Sequence, residues 1–159
     1  MSKRIAFPIR IPFVEELGLE LWGFADGKAE LRMDLAEAHL NSWEVAHGGV
    51  LMTMLDVAMA HAARSANSHD PAHAIGVATI EMKTTFMRPA EGELRALGTL
   101  LHRTTTMAFT EGRVLDGEGR LCAHASGTFK YLRGLPVSTR KAKALRGTQP
   151  ESDESKDPS

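Results

Sequence analysis

The chain has 159 residues, 43% of them hydrophobic, with 19 lysines and arginines set against 20 aspartates and glutamates for a net charge of -1. That length suits one domain with its own core, and the balanced charge carries no polyelectrolyte signal, so a small molecule is a better expected partner than nucleic acid or an anionic membrane. The single cysteine, Cys122, excludes an internal disulfide and a cysteine metal site; with no apolar run of signal-peptide or membrane-span length, a cytoplasmic protein without a membrane anchor is expected.

Pro12 to Leu17, with Gly18 just beyond, reads as a short helix. Leu19, Leu21 and Trp22 lead to a turn at Ala25-Asp26-Gly27, after which Ala29, Leu31, Met33 and Leu35 alternate with charged residues, so this stretch is a predicted hairpin. An irregular stretch ends near Ala46. From Gly48 to about Ser65 the chain has no proline, is rich in Ala, Met and Leu and is apolar nearly all round, which predicts a buried helix.

Asn67 to Ala74 is a loop around Asp70-Pro71. Ile75 to Arg88 is a long strand, with Ala78, Ile80, Met82, Thr84 and Phe86 expected on one face, Thr79, Glu81, Lys83 and Thr85 on the other, and Pro89 closing it. Two more strands, Glu93 to His102 and Met107 to Asp116, lead to a turn at Gly117-Glu118-Gly119 and a last alternating strand from Leu121 to Tyr131. The expected fold class is α+β, a single curved antiparallel sheet wrapped around one long helix over residues 1–133. Residues 134–159, basic from Arg133 to Arg146 and then polar, are expected to be a disordered tail.

The long helix carries the chemistry. Asp56 is its only carboxylate and lies between Leu55 and Val57, where a charge is costly unless it is paired or used. Thr53, Ala60 and Ala63 are read on the same face, which lacks the lysines and glutamates of an exposed helix, so that face is expected to meet another protein surface. At the other end, His47-Gly48-Gly49 opens the helix, and free backbone N–H groups there suit an oxyanion. Asp56 is eight residues beyond Gly48, roughly 12 Å along a helix axis, so one helix cannot bring both to one carbonyl. Two antiparallel copies across a twofold axis can.

Asn41, His47-Gly48-Gly49 and Asp56, then Thr79 and the strand end Thr85-Phe86-Met87-Arg88-Pro89-Ala90, together resemble the hotdog-fold acyl-CoA thioesterases of the phenylacetate-degradation (PaaI) type. The resemblance runs from about Phe13 to Leu132. It implies hydrolysis of an acyl- or aryl-acyl-CoA to free acid and coenzyme A, with coenzyme A entering only as part of the substrate, and a homo-oligomer, a dimer or a dimer of dimers. It casts Asp56 as general base or nucleophile, Gly48 as the N–H donor to the thioester oxygen, Asn41 as a support for the carbonyl or the water, and Thr79 as the hydroxyl that positions the water. His47 orients the turn or Asn41, or is a structural cap; both readings stay open.

Arg88 and Arg103 are candidates for coenzyme A phosphates. Met52, Met54, Met59 and Trp22 are read as core or acyl-pocket lining. Two rival functions are a non-catalytic acyl-CoA binding or sensing domain and a hotdog acyl-CoA hydratase, although the His-Phe-Pro-Gly or Asp-His signature of the latter is missing. The seven histidines, scattered without paired carboxylates, predict no metal site.

Overall fold

The computed structural model describes residues 3–7 and 9–132; the expected disordered tail and its basic run lie outside the described residues. A short helix, α1 (Pro12–Glu16), precedes a hairpin of β1 (Glu20–Ala25) and β2 (Lys28–Asp34), whose turn holds both Asp26 and Gly27 at positive φ. A single 3-10 turn at Glu37–His39 leads to the long helix α2 (Gly48–Ser65). Four strands follow: β3 (Val77–Phe86), β4 (Glu93–Arg103), β5 (Met107–Leu115) and β6 (Leu121–Tyr131). They join the hairpin in one antiparallel sheet ordered β1-β2-β4-β5-β6-β3, so β3 is an edge strand.

The concave side of the sheet holds α2. Met54, Leu55, Met59, Leu31, Leu94 and Phe129 are fully buried between them, as alternating strands and an apolar helix require. The approach is closest at paired Gly98 and Gly112 of β4 and β5, where a Cβ on Gly98 would overlap the carbonyl oxygen of Ala58. The far end of α2 is tied to the hairpin, where Ser65 Oγ accepts the N–H of Gly27 at 3.0 Å, and to the end of β6, where Tyr131 Oη donates to the carbonyl of Ala63 at 3.0 Å.

Three side chains differ from expectation. Ala63 is fully buried rather than on the helix's free face: 100° steps bring it back to within about 20° of Asp56, but the last turn of α2 is covered more fully than the turn that carries Asp56. The helix is therefore buried on most of its surface but not all round; Met52, Thr53, Asp56, Val57, Ala60 and Arg64 keep some exposure. Met54 and Met59 are core, whereas Met52 is 40% exposed beside Asp56, and Trp22 lies half-buried under the guanidinium of Arg32. No helix among the described residues is long and apolar enough to cross a membrane.

Candidate active site

The half-buried Asp56 carboxylate accepts a hydrogen bond from Thr79 Oγ1 at 2.7 Å through Oδ1; Oδ2 has no partner among the described residues. Simple alternation would turn Thr79 to the opposite face from Met82. The pairing with β6 explains the contact: Thr79 stands opposite Phe129 and Met82 opposite Gly127, with Ile80 as the extra residue of a bulge. Directly paired residues point to the same face, and Phe129 and Gly127 face the helix, so Thr79 and Met82 both do. The expected strand faces therefore hold from Glu81 onward and are reversed before Ile80.

Asp56, Thr79 and Met82 line a cavity of about 490 Å³ with Met52, Thr53 and Phe13. A second groove of about 290 Å³ leaves Asp56 in the opposite direction along α2, past Val57, Ala60 and His61 to Arg64. The carboxylate sits where the two meet.

The glycine turn belongs to a separate cavity of about 300 Å³, lined by Asn41, Gly48, Leu51, Phe86, Met87 and Arg88. His47 is the N-cap of α2: its Nδ1 accepts the N–H of Gly49 at 2.9 Å, and its carbonyl takes the N–H of Val50. This leaves the N–H of Gly48 with no acceptor among the described residues, at the positive end of the helix dipole. The Phe86 ring packs over Gly48, close enough that a Cβ there would lie 3.4 Å from Cζ. Hydrogen bonds from His47 N–H to His39 and from Ala46 N–H to Ala90 hold the turn.

Asn41 stands beside Gly48, but its Oδ1 accepts the N–H groups of Trp43 and Val45, leaving its amide NH₂ as the group available to the cavity. Arg88 lies on the rim of the same cavity and donates to the carbonyl of Leu121 at 3.0 Å. Arg103, at the end of β4, donates to Asn67 and lines neither the Asp56 nor the Gly48 cavity. Among the described residues no group of His, Cys, Asp and Glu could hold a metal ion.

Sequence reasoning missed His61 and Arg64, although Asp56, Ala60 and Arg64 follow the four-residue spacing of one helix face. His61 is 3% exposed, packed edge-on against Phe7 and Phe24, and its Nδ1–H donates to the carbonyl of Val57 at 2.8 Å. Burial pushes its pKa from 6.5 down to about 4. A ring kept neutral in the fold takes up its proton only on unfolding. Its contribution to stability is therefore complete above pH 6.5 and is lost as pH falls from there through about 4. Between those pH values the melting temperature should fall more steeply in the wild type than in His61→Gln; equal slopes would show that the ring is not held neutral.

The family model of the thioesterase superfamily matches residues 44–123. A candidate esterase of Halobacterium salinarum is 30% identical over 126 residues, covering 74% of this chain and 82% of its own. Among solved structures, a conserved protein of Pseudomonas aeruginosa is 32% identical with a TM-score of 0.71, the match covering 79% of this chain and 97% of that one. A mutant of the phenylacetic acid degradation protein PaaI from Thermus thermophilus is 26% identical with a TM-score of 0.67 over 77% of this chain and all (100%) of its own. The likeness to the Escherichia coli PaaI protein, 19% identical with a TM-score of 0.70 over 77% of this chain and 86% of that one, adds the hotdog fold alone.

Proposed function

Since the chain belongs to the thioesterase superfamily and has the hotdog fold, we propose that it hydrolyses acyl-CoA thioesters, with Asp56 as the reacting carboxylate. The observation that carries this reading is the 2.7 Å bond from Thr79 to Asp56, which fixes one carboxylate oxygen and leaves the other facing a cavity. As general base, Asp56 takes a proton from water as the water oxygen attacks the carbonyl carbon. The C–S bond then breaks, and the proton passes to the leaving thiolate. As nucleophile, the carboxylate displaces the thiolate to form a mixed anhydride, which water cleaves to the free acid. In either course Thr79 holds the carboxylate with its hydrogen, while the lone pairs on its oxygen can accept from the attacking water.

The oxyanion donor is assigned to Gly48 of a second subunit. Within one chain, Gly48 and Asp56 line different cavities. β3 joins the two places: Thr79, near its start, bonds Asp56, and Phe86, at its end, covers Gly48. Its outer edge is unpaired among the described residues, with Ile80 56% and Phe86 50% exposed. If two copies of β3 pair antiparallel about a twofold axis, the start of one meets the end of the other, bringing Asp56 to the partner's Gly48. The His47 cap and the amide of Asn41 then support that donor, and Arg88 lies on the rim where phosphates of coenzyme A would emerge. The same face accounts for the small side chains of Thr53 and Ala60. A sensing domain that only binds would have no use for a hydroxyl-braced carboxylate.

A panel of aliphatic and aromatic acyl-CoAs, read by released thiol, tests the activity. Mixing inactive Asp56→Asn protein with inactive Gly48→Val protein should restore part of the activity after subunit exchange, because one of the two mixed sites is intact. No recovery in proven heterodimers would exclude the shared site.

A further inference from the structure

We infer that the groove from Asp56 to Arg64 receives the acyl group of the substrate, and that this acyl group ends in a carboxylate held by Arg64. The inference rests on the thioesterase reading above and deepens it by naming the substrate class. Asp56, Ala60 and Arg64 lie in one row along α2, and Ala60, the smallest of them, leaves the floor open. Ile9, Ile11, Gly76 and Val77 border the groove as well. The groove is continuous with the reacting carboxylate at one end and apolar until it reaches a cation at the other.

That cation lacks a counterion among the described residues. Arg64 donates from Nη2 to the carbonyl of Pro71 at 2.9 Å and from Nη1 to Nε2 of His61 at 3.4 Å; its Nε is buried with no partner, and it forms no ion pair with any described residue. His61 positions Arg64 without neutralising it. Because Nδ1 must donate to the Val57 carbonyl, Nε2 of the neutral ring is the acceptor that Arg64 meets. Burial lowers the basicity of Arg64, the sign of a charge removed from water and not yet compensated. A methyl-ended acyl chain would leave this guanidinium unmatched in an apolar groove, whereas a carboxylate would meet both its charge and its unused donors.

Arg64 is eight residues from Asp56, and helical side chains lean toward the N-terminus, so the gap from thioester to guanidinium is roughly 6–10 Å. Dicarboxylic acyl groups of roughly four to eight carbons bridge it.

The test compares adipyl-CoA with hexanoyl-CoA, and shorter and longer pairs of the same design, on wild type, Arg64→Met and Arg64→Lys. Wild type should favour the dicarboxylic member of the best pair. Arg64→Met, which keeps the apolar stem, should lower the ratio of kcat/KM for charged over neutral thioester by about 10- to 100-fold, mainly through KM, the usual worth of a hydrogen bond to a charged group. Arg64→Lys should retain part of the preference. The same pairs are titrated by calorimetry on Asp56→Ala and on Asp56→Ala/Arg64→Met protein. If no thioester is hydrolysed but Arg64 still governs the difference in Kd, the hydrolase reading fails and the groove assignment stands. A wild type that prefers the neutral thioester at every length overturns the proposal. So does an equal loss on both members of each pair, which would assign Arg64 to the coenzyme A portion.

Discussion

Replacing Asp56 with alanine is expected to lower kcat by about 10²- to 10⁴-fold, the contribution of a positioned acid or base, while acyl-CoA still binds. Asn should be almost as inactive: its amide keeps the shape and can accept the Thr79 hydroxyl, but it offers no basic oxygen and no anionic nucleophile. Thr79→Ala should lose less, because it removes the brace and leaves the carboxylate. Stability should move the other way. Asp56 has a single hydrogen-bond partner among the described residues and sits between Leu55 and Val57, so removing its charge relieves desolvation and breaks no network. The melting temperature of Asp56→Ala should equal or exceed that of wild type. Wild-type kcat in Asp56→Ala on the best acyl-CoA would remove the catalytic assignment and leave a binding or sensing domain.

Gly98→Ala should be the most damaging conservative change in the core. A Cβ at this position overlaps the carbonyl oxygen of Ala58 and lies 2.9 Å from the amide nitrogen of Met59, so relief requires moving the α2 backbone. Overpacking usually costs about 1–3 kcal/mol and more where backbone must shift, against a total stability of about 5–15 kcal/mol. Gly112→Ala is the control. Its Cβ would meet the side-chain atoms of Leu55 and Met59 at 3.0 and 3.1 Å, which can rotate away, so its cost should be smaller. Urea denaturation of both variants measures the difference; equal midpoints would mean that α2 is free to rise from the sheet.

The order of elements was legible because each has its own period, and the bounds of α2 because His47 and Gly48 open it and the run from Val50 to Ser65 contains no breaker. Asp56 was legible as a lone carboxylate among apolar neighbours. Its partner Thr79 was found only through family resemblance, since a threonine on a strand is an ordinary β-former. Arg64 was not legible: a basic residue in the last turn of a helix is common on electrostatic grounds alone, and its lack of an ion pair among the described residues is a property of the packed structure. Ala63 shares the side of Asp56 by helical spacing, and its burial comes from the fuller cover over the last turn of α2, which no residue pattern within the helix records. The separation of Gly48 from Asp56 followed from helical rise, whereas the role of β3 in joining them required strand order.

The bulge at Ile80 divides β3 into two reading frames. Val77–Thr79 counts its faces from the helix end at Arg64, and Glu81–Phe86 counts from the glycine turn, with one residue out of phase between them. Deleting a residue from the loop before β3 can be absorbed in its length. Deleting Ile80 merges the frames yet leaves Thr79 on the helix face, because Thr79, Glu81 and Met82 then pair in plain alternation with Phe129, Thr128 and Gly127. Grafting this carboxylate and hydroxyl pair onto another antiparallel sheet therefore requires either the irregularity itself or a regular strand in which the hydroxyl stands two residues from the next helix-facing side chain.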